Sequence, residues 1–147
     1  MNYIPEYHRK VAEMLDLLSG QTEEYKKAGR LIAEAVKNKK LIHVIGTEMH
    51  SSIAAEEVFF RTGSFANINP LYDPTFSVSH SAARSLYLKE ADSCGRFLIE
   101  CYRNIQQGDL MIIIDTDGIG KACIEVVEKS REMGLKTIGI APVGCAV

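Results

Sequence analysis

The sequence predicts a parallel α/β fold: a three-layer sandwich whose doubly wound sheet has four to five strands, preceded by a helical N-terminal segment. Three observations carry this expectation. The runs Leu41 to Ile45 (L-I-H-V-I), Leu110 to Ile114 (L-M-I-I-I) and Lys136 to Ile140 have the length and branched composition of buried strands. Between them lie stretches whose apolar residues recur at three- and four-residue spacing. Strands that alternate with helices in this way require crossover connections, and so a parallel sheet covered on both faces.

The elements follow in order. Val11, Met14, Leu15 and Leu18 mark a first helix, which Gly20 breaks. A second begins near Thr22 and Glu23, residues that suit a helix start. It carries Ala28, Leu31, Ile32, Ala35 and Val36 on one face, and Lys39 and Lys40 close it with positive charge. After the first strand, Gly46 opens a tight turn, and helical spacing resumes from Ser51 to Arg61. Phe65 to Ile68 reads as a weaker strand closed by Asn69-Pro70. Tyr72 to Ser81, with Pro74 and several hydroxyls, reads as a loop holding a short helix. Cys94 to Tyr102 is helical, and Gln107-Gly108-Asp109 turns the chain into the strand Leu110 to Ile114. Asp115 to Gly120 is a turn with two glycines. Ile119, Cys123, Ile124 and Val127 then mark a helix that Gly134 ends in the position favoured for glycine. Neither an internal repeat nor a linker interrupts the 147 residues, so they are expected to form one domain, helical over 1–40 and with its sheet over 41–140.

Composition narrows the function. With 46% hydrophobic and 24% charged residues the chain can bury a core. A net charge of -2 lacks the basic stripe of a nucleic-acid partner. No apolar run approaches the roughly 20 residues of a membrane span. Met1 to Lys10 carries Glu6, Arg9 and Lys10 and does not read as a signal peptide. Cys94, Cys101, Cys123 and Cys145 match neither a zinc knuckle nor a disulfide framework. They read as buried or semi-buried thiols in a cytoplasmic protein.

Open parallel sheets bind ligands at the carboxyl ends of their strands, where strand order reverses. Two turns qualify. The first is Gly46-Thr47-Glu48-Met49-His50-Ser51-Ser52. Its glycine lets backbone approach a ligand. Ser51 and Ser52 either hold an anion at the helix start or simply cap it. The second is Asp115-Thr116-Asp117-Gly118-Ile119-Gly120-Lys121, which matches neither phosphate-loop fingerprint. Asp115 can accept turn N–H groups, and Asp117 can cap the helix. Both carboxylates also suit a hydroxyl-rich or cationic ligand, with Lys121 offsetting their charge. Glu48, His50, Asp115 and Asp117 have the donor chemistry of a cation site, though a solvated loop is the simpler reading, and no metal or other cofactor is expected.

His43, inside a strand, reads as a core histidine, and His8 as solvent-facing. His80 follows a hydroxyl-rich loop and titrates in the range useful for catalysis. Glu56 and Glu57 interrupt an apolar helix, so one of them faces inward or toward a partner. That makes a general base conceivable, with an ion pair to Arg61 as the plainer alternative.

Taken together, L-I-H-V-I-G-T, A-E-E-V-F-F-R-T-G, N-P-L-Y-D-P, His80 and Q-G-D before an apolar strand resemble the SIS (sugar isomerase) domain, in its phosphosugar-isomerase-like bacterial group. The resemblance runs from the N-terminal helices to Ile140. It implies a five-stranded parallel sheet, a homodimer, and a sugar or sugar-phosphate site in the turns after the first and third strands. With the reading of the two turns, the candidate ligand residues are Gly46, Thr47, Glu48, His50, Ser51, Ser52, Asp115, Thr116, Asp117 and Gly118, of which Thr47, Ser51, Ser52 and Thr116 carry the hydroxyls the resemblance calls for. The implied activity is aldose–ketose exchange without a redox cofactor, with Glu57 or His80 moving the proton.

The chain departs from that pattern in three places. Where the family's second turn reads like S-x-S-G, it carries Asp115, Thr116, Asp117 and Gly118. Two charges about 4 Å apart at an effective dielectric of 20 interact by about 4 kcal/mol, which opposes phosphate beside a carboxylate. Glu48 stands where a second glycine is usual. Ala141-Pro142-Val143-Gly144 follows the fourth strand at once, so the fifth strand and its helix are missing from the expected pattern. These departures support a rival expectation: a non-catalytic module that senses a metabolite or pairs with another chain.

Overall fold

The computed structural model describes residues 3–142. Two helices come first, α1 (Ile4–Ser19) and α2 (Thr22–Lys37). The first strand–helix–strand unit is β1 (Ile42–Gly46), α3 (Ser51–Phe59) and β2 (Ile68–Pro70). A single 3-10 turn at Pro74–Phe76 leads to α4 (Ala82–Leu88) and α5 (Cys94–Cys101). The second unit is β3 (Leu110–Ile114), α6 (Lys121–Glu132) and β4 (Lys136–Ile140).

All strand pairs are parallel, in the order β2-β1-β3-β4. The central pair runs in register from Ile42 opposite Leu110 to Gly46 opposite Ile114. Because strand side chains alternate, Ile42, Val44, Leu110 and Ile112 join α2 and α3 on one face, through Ala35 and Ala55. Ile45, Met111 and Ile113 join α5 and α6 on the other, through Leu98, Ile99, Ala122 and Val126. The result is the expected three-layer sandwich with four strands. A fully buried side chain such as Ile45 or Val126 stabilises it by about 1.5–3 kcal/mol.

Several boundaries differ from expectation for identifiable reasons. β2 begins at Ile68 and includes Pro70, which a strand tolerates here because β2 lies at the sheet edge. α4 was not expected; Ser81 caps it by accepting from the Arg84 N–H at 3.2 Å. α3 stops at Phe59, short of Arg61. In α6 the buried residues are Ala122, Cys123, Val126 and Ser130, whereas Ile119 and Ile124 are exposed. Val36 likewise faces outward from α2. Gly134 adopts φ +77° just beyond α6, as its place in the sequence predicts.

The thiols of Cys94, Cys101 and Cys123 are free; Cys101 is exposed, contrary to expectation. Cys145, Val143 and Gly144 lie outside the described residues. His43 is a satisfied core histidine. With the Asn69 amide nitrogen 2.9 Å from Nδ1, Nε2 carries the proton and donates to Asp109 at 3.0 Å. Asp109 also accepts from the N–H groups of Leu41 and Gln106.

Two features stand apart from this core. α1 buries no residue, and Tyr7, Met14, Leu15, Leu17 and Leu18 are exposed along it. Between α2 and the edge strand β4 runs a largely apolar groove of about 790 Å³. Among the described residues no helix is long and apolar enough to cross a membrane.

Candidate functional site at the β1 and β3 turns

β1 and β3 are neighbours, but their crossovers leave in opposite directions, one to β2 and one to β4. This is the switch point of the sheet, and in open parallel sheets a ligand crevice is expected at the carboxyl ends of the strands there. The two turns singled out in the sequence meet there. The Thr47 N–H donates to the Ile114 carbonyl at 3.1 Å. The Thr47 hydroxyl donates to the Asp115 carboxylate in a short hydrogen bond. Thr116 stands near enough to Glu48 to help lower its pKa.

Gly46 has a different task from the one expected. A Cβ there would lie 2.1 Å from the Ser51 carbonyl carbon. Its bareness admits the first turn of α3 against the end of β1, rather than a ligand. The first N–H groups of α3 are orphan donors by helix geometry. The Glu48 carboxylate takes them: it accepts from His50 N at 2.8 Å and from Ser51 N at 2.6 Å. The His50 ring nitrogen Nδ1 is 3.1 Å from the same carboxylate. Glu48, not a serine, therefore caps α3. Ser51 and Ser52 are buried with their hydroxyls against the backbone of the turn, Ser52 donating to the Met49 carbonyl at 3.0 Å. Burial pushes the Glu48 carboxyl up. Donation from the backbone of His50 and Ser51, helped by the nearby side chains of Ser51 and Thr116, outweighs it and holds the group below its ordinary range.

The second turn repeats the device. Asp115 is buried and accepts from Asp117 N at 3.0 Å and Gly118 N at 2.6 Å, in addition to Thr47. Gly118 adopts φ +72°, which glycine alone takes without strain. Asp117 points elsewhere, to Lys89 Nζ at 2.8 Å. That hydrogen bond raises the Lys89 ammonium above its ordinary value, against a smaller opposing effect of burial. The counter-charge expected from Lys121 thus comes from Lys89, while Lys121 pairs with Asp92. Lys89 also offers its carbonyl to Ala122 N at 2.8 Å, at the start of α6. Nothing in the sequence around Lys89 marks it, because its partner lies 28 positions away. Cys123 lies close by; burial, with the Asp115 charge, pushes its thiol up and keeps it protonated.

The remaining candidates make no hydrogen bond to this cluster. His80 is exposed on the loop after β2, with Nδ1 3.3 Å from the Ser79 hydroxyl, itself 2.6 Å from Ser77. Glu56 and Glu57 both face outward, so neither points into this chain's own core. Glu57 pairs with Arg61 at 2.7 Å. Lying six residues beyond Ser51, it is about 9 Å along the helix from the turn. Among the described residues no group of three or more His, Cys, Asp or Glu side chains is placed to hold a metal ion.

A family model for the SIS domain matches residues 6–142. The chain belongs to the SIS-domain family. A UPF0309 protein of Listeria monocytogenes serotype 4b is 36% identical over 140 residues, covering 95% of this chain and 54% of the relative. One from Geobacillus kaustophilus is 30% identical over 138 residues, covering 93% and 54%. The chain thus spans about half the length of the curated relatives it matches. Among solved structures, a phosphoheptose isomerase from Francisella tularensis superposes with a TM-score of 0.73 at 11% identity, covering 99% of this chain and 77% of that one. The phosphoheptose isomerase GmhA from Neisseria gonorrhoeae gives 0.62 at 17% identity, covering 95% and 77%. At these identities the likeness is one of fold.

Proposed function

We propose that this SIS domain binds a sugar or sugar phosphate in the crevice between the β1 and β3 turns. The observation that carries the reading is the interlock of those turns at the switch point, through Thr47, which donates its N–H to the Ile114 carbonyl and its hydroxyl to Asp115. Thr116, Asp117 and His50 are exposed around the crevice and supply hydroxyl, carboxylate and imidazole groups that match a polyol. The fold shared with phosphoheptose isomerases supports the same ligand class. A thermal-shift screen with free and phosphorylated sugars tests it: the expected result is a raised melting temperature with at least one, and no shift with any sugar overturns it.

In the catalytic form of this reading, His80 takes a proton from one sugar carbon and returns it to its neighbour, which needs no redox cofactor. Glu57 faces away from its own crevice, so a role for it requires a second copy. The exposed apolar row of α1 supports such a homodimer, and the three free thiols support a cytoplasmic setting. Sedimentation of the wild type and of Leu15→Glu checks the dimer, which the variant is expected to dissociate.

A second reading, a non-catalytic sensing or pairing module, is favoured by the Glu57–Arg61 ion pair and by the distance of Glu57 from the turns. Sugar binding without proton exchange from the sugar carbon into deuterated water selects it over the enzyme.

A further inference from the structure

The donors at the switch point have a common fate. His50 N and Ser51 N donate to Glu48, while Asp117 N, Gly118 N and the Thr47 hydroxyl donate to Asp115. Backbone N–H groups at a helix start and in a turn with a left-handed residue are what a phosphate would engage. Here both sets are engaged by carboxylates of the chain itself. Glu48 and Asp115 are 4% and 3% exposed, so these are built-in contacts rather than surface encounters.

From this we infer that Glu48 and Asp115 are specificity-determining residues that hold the anion positions of the crevice and restrict it to unphosphorylated sugars. The inference rests on the sugar-binding reading of the same crevice. A phosphate entering the β1 turn must displace Glu48 from two short N–H contacts, and in the β3 turn it must displace Asp115 from three donors. The nearby cation cannot compensate, because Lys89 is already paired with Asp117. A sugar hydroxyl faces no such barrier, because it needs neither set of donors and can bind the exposed Thr116, Asp117 and His50 side chains instead. A phosphate monoester with its second pKa near 6 has little proton to donate at neutral pH. The side chains bordering the crevice extend the preference: Asp117 is half exposed and offers a further acceptor to hydroxyls or to an amino group.

The test compares matched pairs, glucose with glucose 6-phosphate and fructose with fructose 6-phosphate, together with inorganic phosphate, by thermal shift and titration calorimetry on the full chain. For the wild type, the unphosphorylated member is expected to bind at least ten-fold more tightly than its phosphate ester, with no shift from inorganic phosphate. In Glu48→Gln/Asp115→Ser, inorganic phosphate is expected to gain at least ten-fold in affinity. The single variant Asp115→Ser, which frees the Asp117 and Gly118 N–H groups, serves if the double variant does not fold. A wild type that binds a sugar phosphate as tightly as the free sugar overturns the inference while leaving sugar binding intact. A folded variant that gains no phosphate affinity overturns it as well. A wild type blind to every sugar, beside a variant that gains phosphate, upholds the occupancy of the anion positions and overturns the sugar-binding reading.

Discussion

Asp109 and Asp115 stand just outside the two ends of β3, and both carboxylates are 3% exposed. Each accepts three donors. Asp109 takes Leu41 N, Gln106 N and the His43 ring; Asp115 takes Asp117 N, Gly118 N and the Thr47 hydroxyl. By burial and hydrogen bonding the two are near equals. They differ in what lies around them. Asp109 is at the amino edge, where its network ties Leu41, just ahead of β1, and His43 within it to the turn before β3. Asp115 is at the carboxyl edge, where the crossovers part and exposed His50, Thr116 and Asp117 border the opening. A saturated buried carboxylate therefore does not mark a site by itself. The direction of the strands and the point where their order reverses decide which one stands at the edge where open parallel sheets bind ligands.

The comparison can be broken first at Gly46. In Gly46→Ala the new methyl meets backbone at the start of α3, which cannot give way without moving the helix. A loss of about 3 kcal/mol or more is expected from chemical denaturation, together with loss of ligand binding. Asp109→Ala comes next. It strands the buried His43 ring and two part-buried backbone N–H groups, and a loss of about 1–3 kcal/mol is expected. In the surviving folded fraction, calorimetry should show unchanged sugar affinity, since the amino edge is remote from the crevice.

Glu48→Gln is expected to cost less, about 1–2 kcal/mol, because the amide oxygen still accepts an N–H. Its signature lies in the pH dependence. A carboxyl held below its ordinary range contributes stability that is complete above the unfolded value, roughly 4.3. That contribution is lost as the pH falls through the lowered native value. Wild type should therefore lose stability on acidification more steeply than Glu48→Gln, and parallel acid limbs would contradict the capping role. Lys89→Met is the smallest change. It breaks an ion pair whose carboxylate is 49% exposed, so solvent screening keeps the expected loss below about 1 kcal/mol. Because it frees Asp117 for a ligand, it should weaken any residual phosphate binding more than sugar binding.

Much of this molecule is legible without coordinates. The runs L-I-H-V-I and L-M-I-I-I specify the two central strands, because only a strand covered on both faces tolerates such continuous apolar character. Gly134, and the location of both turns at strand ends, follow from local rules. Other elements gave no local signal. α4 has seven residues and no clear apolar stripe. β2 holds a proline that argues against a strand until its place at the edge is known. The buried phase of α6 depends on α5, which Gly95 allows to approach so closely that a Cβ would sit 2.3 Å from the Ala122 carbonyl oxygen.

The sequence by itself determined the class of fold, its central strands and the two turns at their carboxyl ends, since periodicity and glycine placement act over a few neighbouring residues. Only the tertiary structure decided what those turns do. Thr47 and Asp115, and Lys89 and Asp117, are distant in the chain and are joined by strand order and crossover direction. The chemistry of the crevice follows from that joining, because a carboxylate that reads as a free charge in sequence becomes, once its donors arrive from other elements, an occupant of the site.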